Sequence, residues 1–168
     1  MQTLSNLDII RKKIHTLDSL RHELSRWRFL SKKIVFTNGC FDILHLGHVD
    51  YLSKAADEGD ILIIGVNTDA STSRLKGPTR PINNEEQRVF LLAALHFVDA
   101  VILFDEPTPL ELIKFVLPDV LVKGSDYNLQ NIVGADVVQS NKGQVKTIEF
   151  LPGYSTTRIE EKIRSAVK

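Results

Sequence analysis

One cysteine, no net charge and no long apolar run are what this chain lacks, and each absence removes a class of protein. A lone Cys40 excludes an internal disulfide and fits a reducing compartment. No apolar stretch approaches the roughly 20 residues that a membrane-spanning helix needs, so no membrane partner is expected. Lys and Arg total 21 and Asp and Glu total 21, so a polyanion would find no global electrostatic attraction. Nucleic acid is therefore not an expected partner, and any anion site must be local. The first thirty residues alternate charged and apolar positions, with acids at Asp8 and Asp18, unlike a secretory signal or transit peptide. Together these features predict a cytoplasmic protein. There is no internal repeat, low-complexity stretch or inter-domain linker. The 168 residues, 43% hydrophobic and 25% charged, suit one globular domain that buries a sheet between helices.

Apolar residues at Leu4, Leu7, Ile10, Ile14, Leu17, Leu20, Leu24, Trp27 and Leu30 recur at spacings of three and four, the period of an amphipathic helix. Thr16 followed by Asp18 is a restart signal for a second helix. Residues 1–31 are therefore expected to be an N-terminal helical extension, a lid or packing element without chemistry, ahead of the main domain at 32–168. From Ile34 the pattern changes to β-branched runs at 34–37, 61–66, 100–104, 120–122 and 145–150. Helical periods lie between and after them, at 47–58, 84–95, 108–116, 131–140 and 156–167. Alternating strands and helices imply right-handed parallel crossovers, hence an α/β, Rossmann-like doubly wound parallel sheet. Ligands in such sheets sit beyond the carboxyl ends of the strands, where the strand order reverses.

The segment after the first predicted strand reads Thr37-Asn38-Gly39-Cys40-Phe41-Asp42-Ile43-Leu44-His45-Leu46-Gly47-His48 and runs directly into a helical period. A strand, a glycine turn and a helix entrance make an anion site, because unpaired N–H groups and the helix dipole face outward there. Gly39 permits close backbone approach to a phosphate. His45 and His48, three residues apart, can aim both imidazoles at one anion, and Gly47 between them leaves room for a nucleotide. Asp42, an acid at a helix entrance, is also placed to serve as a cap. The same stretch offers five potential metal ligands in Cys40, Asp42, His45, His48 and Asp50, but zinc sites seldom set a phosphate loop among their ligands, and no metal site is assigned.

Near the other end, Gly153-Tyr154-Ser155-Thr156-Thr157-Arg158-Ile159 precedes an apolar helical period, with Glu160 three residues after Thr157. This reads both as a cap and as a second anion site at a helix entrance. Between the two ends, Lys76 is expected on a flexible loop, where a mobile ammonium can close over phosphates. Arg80 and Arg88 flank the start of the next helix, and Arg88 is expected to face the same cleft. Arg74 is equally well a solvated surface residue.

The pattern Gly39-x-Phe41-Asp42-x-x-His45-x-Gly47-His48 resembles the signature of the HxGH nucleotidyltransferase superfamily, which includes the cytidylyltransferases and the heptose-phosphate adenylyltransferases. The resemblance implies that His45, His48 and Lys76 are catalytic. It implies that Asn38, Gly39, Cys40, Phe41, Gly47, Arg88 and the Ser155-Thr156-Thr157 run hold the nucleotide and its phosphates. It further places Asp42, Lys123, Gly124, Asp126 and Tyr127 at the acceptor or nucleoside, although Tyr127 serves equally as packing against the sheet end. Arg74-Leu75-Lys76-Gly77, Arg80-Pro81-Ile82, Thr108-Pro109, the run from Pro118 to Tyr127 and Ile132-Val133-Gly134 narrow the likeness to the adenylyltransferases that make ADP-heptose from D-glycero-β-D-manno-heptose 1-phosphate for lipopolysaccharide. The match spans about residues 32–165 and departs from the pattern at Ser125, where a glycine is usual.

The reaction that this resemblance implies is an in-line transfer of AMP from ATP to a sugar 1-phosphate with release of pyrophosphate. Mg²⁺ is expected to travel with ATP and to be held mostly by phosphates and water. A stand-alone enzyme of this kind implies a separate heptose kinase in the pathway, and a homodimer is compatible with it. Two alternatives are a glycerol-3-phosphate cytidylyltransferase and a non-catalytic nucleotide-binding module. The cytidylyltransferases carry a threonine at Cys40 and an arginine at Phe150, and a buried aromatic at 150 would lack that charge-assisted grip on a small acceptor's phosphate.

Overall fold

The computed structural model describes residues 4–125 and 131–166. Within them six parallel strands form one sheet: β1 (Ile14–His15), β2 (Ile34–Gly39), β3 (Ile61–Asn67), β4 (Ala100–Phe104), β5 (Val120–Gly124) and β6 (Gln144–Ile148). Their spatial order is β1-β4-β3-β2-β5-β6. The chain thus winds outward from β2 through β3 and β4, then returns to the other side of β2 with β5 and β6. The reversal lies between β2 and β5, which pair directly through Val35 with Val120 and Phe36 with Leu121. The doubly wound parallel sheet expected from the alternation is the fold observed.

Strand residues alternate between two cores, as a period of two requires. Ile34, Phe36, Ile61, Ile63, Ala100, Ile102 and Leu121 face one side. They meet Leu20, Leu24 and Trp27 of α2 (Leu17–Phe29) and Leu112, Ile113 and Val116 of α6 (Leu110–Val116), with Val138 of α7 (Ala135–Ser140). Val35, Leu62, Ile64, Val66, Val101, Val120 and Val122 face the other side. There they meet Tyr51, Leu52 and Ala55 of α3 (Leu46–Ala56) and Val89, Leu92 and Ala93 of α5 (Glu85–Ala93). Side chains such as Phe36, Leu52 and Leu62 are almost wholly buried, each stabilising the fold by roughly 1.5–3 kcal/mol.

The N-terminal segment does more than extend the domain. After α1 (Asn6–Arg11), Ile14 and His15 pair with Val101 and Ile102 as an edge strand, so the periodicity of apolar positions conceals a break into extended backbone. Thr16 then caps α2 by accepting the amide of Ser19, as its position before Asp18 predicts. A second difference concerns Lys76. It sits not on a flexible loop but at the last residue of α4 (Asp69–Lys76), where Thr68 caps the start by accepting the Ser71 amide and Gly77 stands at the end. Ser71 and Thr72 of this short helix are buried, which holds it against the sheet despite a polar sequence that gives no apolar period. The last helix, α8 (Thr156–Ala166), contains no buried residue.

Candidate active site

Four strand ends converge on one cavity of about 450 Å³. Asn38, Gly39 and Cys40 reach it from β2, Asn67 from β3, Phe104 from β4 and Lys123 from β5, with Lys76 at the rim. This is the place where a doubly wound sheet opens between diverging crossovers. Lys123 donates to the Asn38 carboxamide, a bond that spans the reversal point between β2 and β5. Asn67 is buried and oriented at both ends. Its Oδ1 lies 3.7 Å from Cys40 Sγ, which donates to it, and its Nδ2 donates to Ser71 Oγ at 3.0 Å. Asn67 is not among the residues expected at the site from the sequence; its place at a strand's carboxyl end is the signal that marks it.

A second cavity of about 230 Å³ is lined by His45, Gly47, His48, Phe150, Tyr154, Ser155 and Thr156, so the two motifs from opposite ends of the chain do meet. The imidazoles of His45 and His48 stack with centroids 3.8 Å apart. His45 is the N-cap of α3, and its Nδ1 accepts the His48 amide at 3.3 Å. A neutral ring whose Nδ1 accepts must carry its proton on Nε2, leaving that N–H free to serve as a donor. Burial lowers the pKa of His45. Burial, the neighbouring His45 and the Lys76 ammonium lower that of His48 to about 4. His48 Nδ1 is buried without a hydrogen-bond partner among the described residues. Both imidazoles are thus neutral near neutral pH, His45 through burial and His48 through burial and its cationic neighbour Lys76.

Gly47 sits at a close approach: a Cβ there would lie 3.1 Å from atoms of the His45 ring and 3.1 Å from Tyr154 Cβ, so one of them would have to shift by a few tenths of an ångström. The space it leaves is therefore filled partly by His45 itself. Phe41 does not line either cavity. It is buried, has φ of 47°, lies over Gly39 and meets the His48 ring edge-on at 5.3 Å, so its ring supports the histidine. Its left-handed backbone is uncommon for an aromatic residue and is held by this packing.

Several expected contacts turn inward. Asp42 is buried and is neither a cap nor a cavity residue. Its Oδ1 accepts the amides of Ile82 and Asn83 at 2.8 and 2.9 Å, and its Oδ2 accepts from Arg80 at 2.6 Å. Arg88 does not face the cleft with free donors. Its guanidinium is fully buried and donates to the Cys40 carbonyl at 2.7 Å, the Asn83 carbonyl at 3.1 Å and Asp69 Oδ1 at 2.8 Å. It fastens the histidine loop to α4 and α5, since a buried guanidinium must find carbonyl and carboxylate partners. Gly124 is buried at the end of β5, paired with Ile148, and it is the preceding residue, Lys123, that reaches the cavity. Asp126 and Tyr127 lie outside the described residues.

In the C-terminal run, Ser155 accepts the Arg158 amide at 3.2 Å and is the cap, whereas Glu160 bonds to Arg80 rather than closing a capping box. Ser155 and Thr156 reach the histidine cavity; Thr157 is exposed and lines neither. Phe150 is not buried: it is 46% exposed, packs against Tyr51 and lines the histidine cavity rather than the cavity at the strand ends. Of the five potential metal ligands, Asp42 is paired to Arg80 and Asp50 to Lys54. Among the described residues no group of three His, Cys, Asp or Glu converges to hold a metal ion.

Bifunctional protein HldE of Citrifermentans bemidjiense is 54% identical over 154 residues, 92% of this chain and 32% of that protein. Its namesake in Campylobacter jejuni serotype O:2 is 58% identical over 134 residues, 80% of this chain and 28% of that one. The chain thus spans about a third of the length of the curated relatives it matches. Among solved structures, the lipopolysaccharide core biosynthesis protein from Thermoplasma volcanium is 32% identical with a TM-score of 0.57, covering 71% of this chain and 97% of that one. Pantoate-beta-alanine ligase from Francisella tularensis, at 18% identity, shares the fold alone, with a TM-score of 0.63 over 90% of this chain and 76% of that one. The cytidylyltransferase-like family model matches residues 36–162, from the strand that delivers the histidine loop to the helix that faces it, and the chain belongs to that family of nucleotidyltransferases.

Proposed function

We propose that this enzyme transfers AMP from ATP to D-glycero-β-D-manno-heptose 1-phosphate, yielding ADP-heptose and pyrophosphate. The observation that carries the reading is the pair of neighbouring cavities, one lined by His45, His48, Ser155 and Thr156 and the other by Asn38, Asn67, Lys76 and Lys123. The first suits a triphosphate, with hydroxyls, a helix entrance and neutral imidazole donors. The second sets the polar groups of Asn38, Asn67, Lys76 and Lys123 among apolar walls that include Leu75, Phe104 and Val133, which suits the phosphate and the ring of a sugar phosphate. Relatives named HldE and a lipopolysaccharide core biosynthesis protein favour a heptose over other phosphorylated acceptors.

In the proposed reaction an acceptor phosphate oxygen attacks the α-phosphorus of ATP while the bond to the β-phosphate bridging oxygen breaks. Both electrons of that bond leave with pyrophosphate, and no covalent enzyme intermediate forms. Charge grows on the bridging and β-phosphate oxygens, where the His45 Nε2–H, the His48 ring and the Lys76 ammonium can strengthen their bonds as the bond breaks. Mg²⁺ enters as part of the ATP complex. The reading also carries a cytoplasmic setting and a kinase activity that supplies the sugar 1-phosphate. It leaves room for a homodimer. Among the described residues no helix is long and apolar enough to cross a membrane.

The test is pyrophosphate release by purified protein with ATP or CTP against heptose 1-phosphate, other sugar phosphates and glycerol 3-phosphate. ATP with heptose 1-phosphate is expected to be turned over best. Equal turnover of CTP with glycerol 3-phosphate would sink the assignment and leave only the transferase chemistry. Nucleotide binding without any turnover would make the chain a binding module.

A further inference from the structure

Helix α8 brings Ser155 and Thr156 to the histidine cavity, yet none of its residues is buried and Ile163 on it is 56% exposed. Apolar packing therefore does little to hold this half of the site in place. Among the described residues, the ion pair that joins α8 to the body of the domain is that of Glu160 with Arg80. The Arg80 guanidinium donates on its other side to Asp42 Oδ2 at 2.6 Å, and Asp42 is itself fixed by the amides of Ile82 and Asn83. The three side chains are 15%, 21% and 1% exposed for Arg80, Glu160 and Asp42, shielded enough that solvent and salt weaken the pairing only in part. Asp42 is three residues before His45, and Glu160 lies on the first turns of the helix that begins at Thr156. A continuous run of charge-assisted bonds thus connects the histidine loop to the helix facing it.

We propose that Arg80 is a positioning residue, which with Glu160 clamps the entrance of α8 against the histidine loop and so sets the affinity for the triphosphate of the nucleotide. A planar guanidinium can serve two carboxylates at once; an ammonium has no such fork. Without the clamp, the chain must order α8 when the nucleotide binds, and that cost appears as weaker binding, not as slower chemistry once the site is full. Neither residue lines a cavity with the nucleotide groups, so the effect passes through Ser155 and Thr156. The proposal rests on the nucleotidyltransferase reading of the cleft, but it does not depend on which acceptor is used.

The experiment compares wild type with Glu160→Gln and Arg80→Lys, measuring MgATP affinity by titration calorimetry without acceptor, kcat and KM by pyrophosphate release, and hydrogen exchange of residues 156–163. Glu160→Gln is expected to weaken ATP binding and raise its KM by about tenfold, a difference near 1.4 kcal/mol, while kcat at saturating ATP stays within about twofold. Exchange in α8 should speed up in the free protein and return toward wild type with ATP bound, and Arg80→Lys should fall between the two. A Glu160→Gln protein that binds ATP as tightly as wild type overturns the clamp alone. Loss of kcat and of acceptor KM together, with a lowered melting temperature, overturns it in favour of a general structural role. Wild-type protein that binds no ATP overturns the nucleotide reading itself and the clamp with it.

Discussion

Acidification should destabilise this protein through His48, by an amount that its surroundings determine. Its pKa falls from 6.5 to about 4 because burial, His45 and Lys76 all oppose a charge there. Above pH 6.5 the ring is neutral both folded and unfolded and contributes nothing to the pH dependence. Between 6.5 and 4 the unfolded chain binds the proton and the folded one does not, so stability falls as pH falls; below about 4 both forms are protonated and the loss stops. At about 1.4 kcal/mol per pH unit the full shift corresponds to about 3 kcal/mol, and partial exposure of the ring reduces this to roughly 2 kcal/mol. Carboxylates titrate in the same window, so the measurement must be a difference. Urea denaturation of wild type and His48→Gln at several pH values should give curves that converge on acidification, the wild type losing roughly 2 kcal/mol more than the variant. Stability differences that stay constant from pH 6.5 to 4 would refute the argument. They would mean that the His48 ring is already solvated or charged in the folded protein.

Lys76→Met should lower kcat by about a hundredfold while ATP affinity changes by less than about tenfold, because the ammonium at the rim of the strand-end cavity, near enough to His48 to lower its pKa, acts most strongly on charge that grows during transfer. Equal losses in binding and turnover, measured by calorimetry and pyrophosphate release, would assign it to ground-state binding. Gly47→Ala should reduce turnover by at least about tenfold with little change in melting temperature, since a methyl group 3.1 Å from the His45 ring must displace that ring or Tyr154. A fully active alanine variant would show that the ring position is not critical. Asp42→Ala should cost about 3 kcal/mol in urea denaturation, because it strips Arg80 of a carboxylate and leaves the Ile82 and Asn83 amides unpaired. A loss below about 1 kcal/mol would show that water replaces those bonds.

The sequence by itself determined the parallel sheet, its five longer strands, and the two motifs at helix entrances. These arise from short-range regularities: strand residues that alternate between two cores, helical periods between them, and a glycine, two histidines and a serine at fixed spacings beside a strand or a helix. Only the tertiary structure decided which polar groups remain available to a ligand. Lys76 and Arg88 look alike as cations near a predicted cleft, yet one ends at the rim of a cavity and the other is consumed by Cys40, Asn83 and Asp69. Asp42 and Glu160, 118 positions apart, are joined by Arg80, and no local period records that pairing. The two-residue strand β1 and the short polar helix α4 escaped the periodicity for the same reason: they are stabilised by neighbours distant in sequence rather than by a pattern of their own. Burial sets where a strand or helix can form, and that is written along the chain. Which charge neutralises which depends on distances that exist only once the sheet has closed its order around β2.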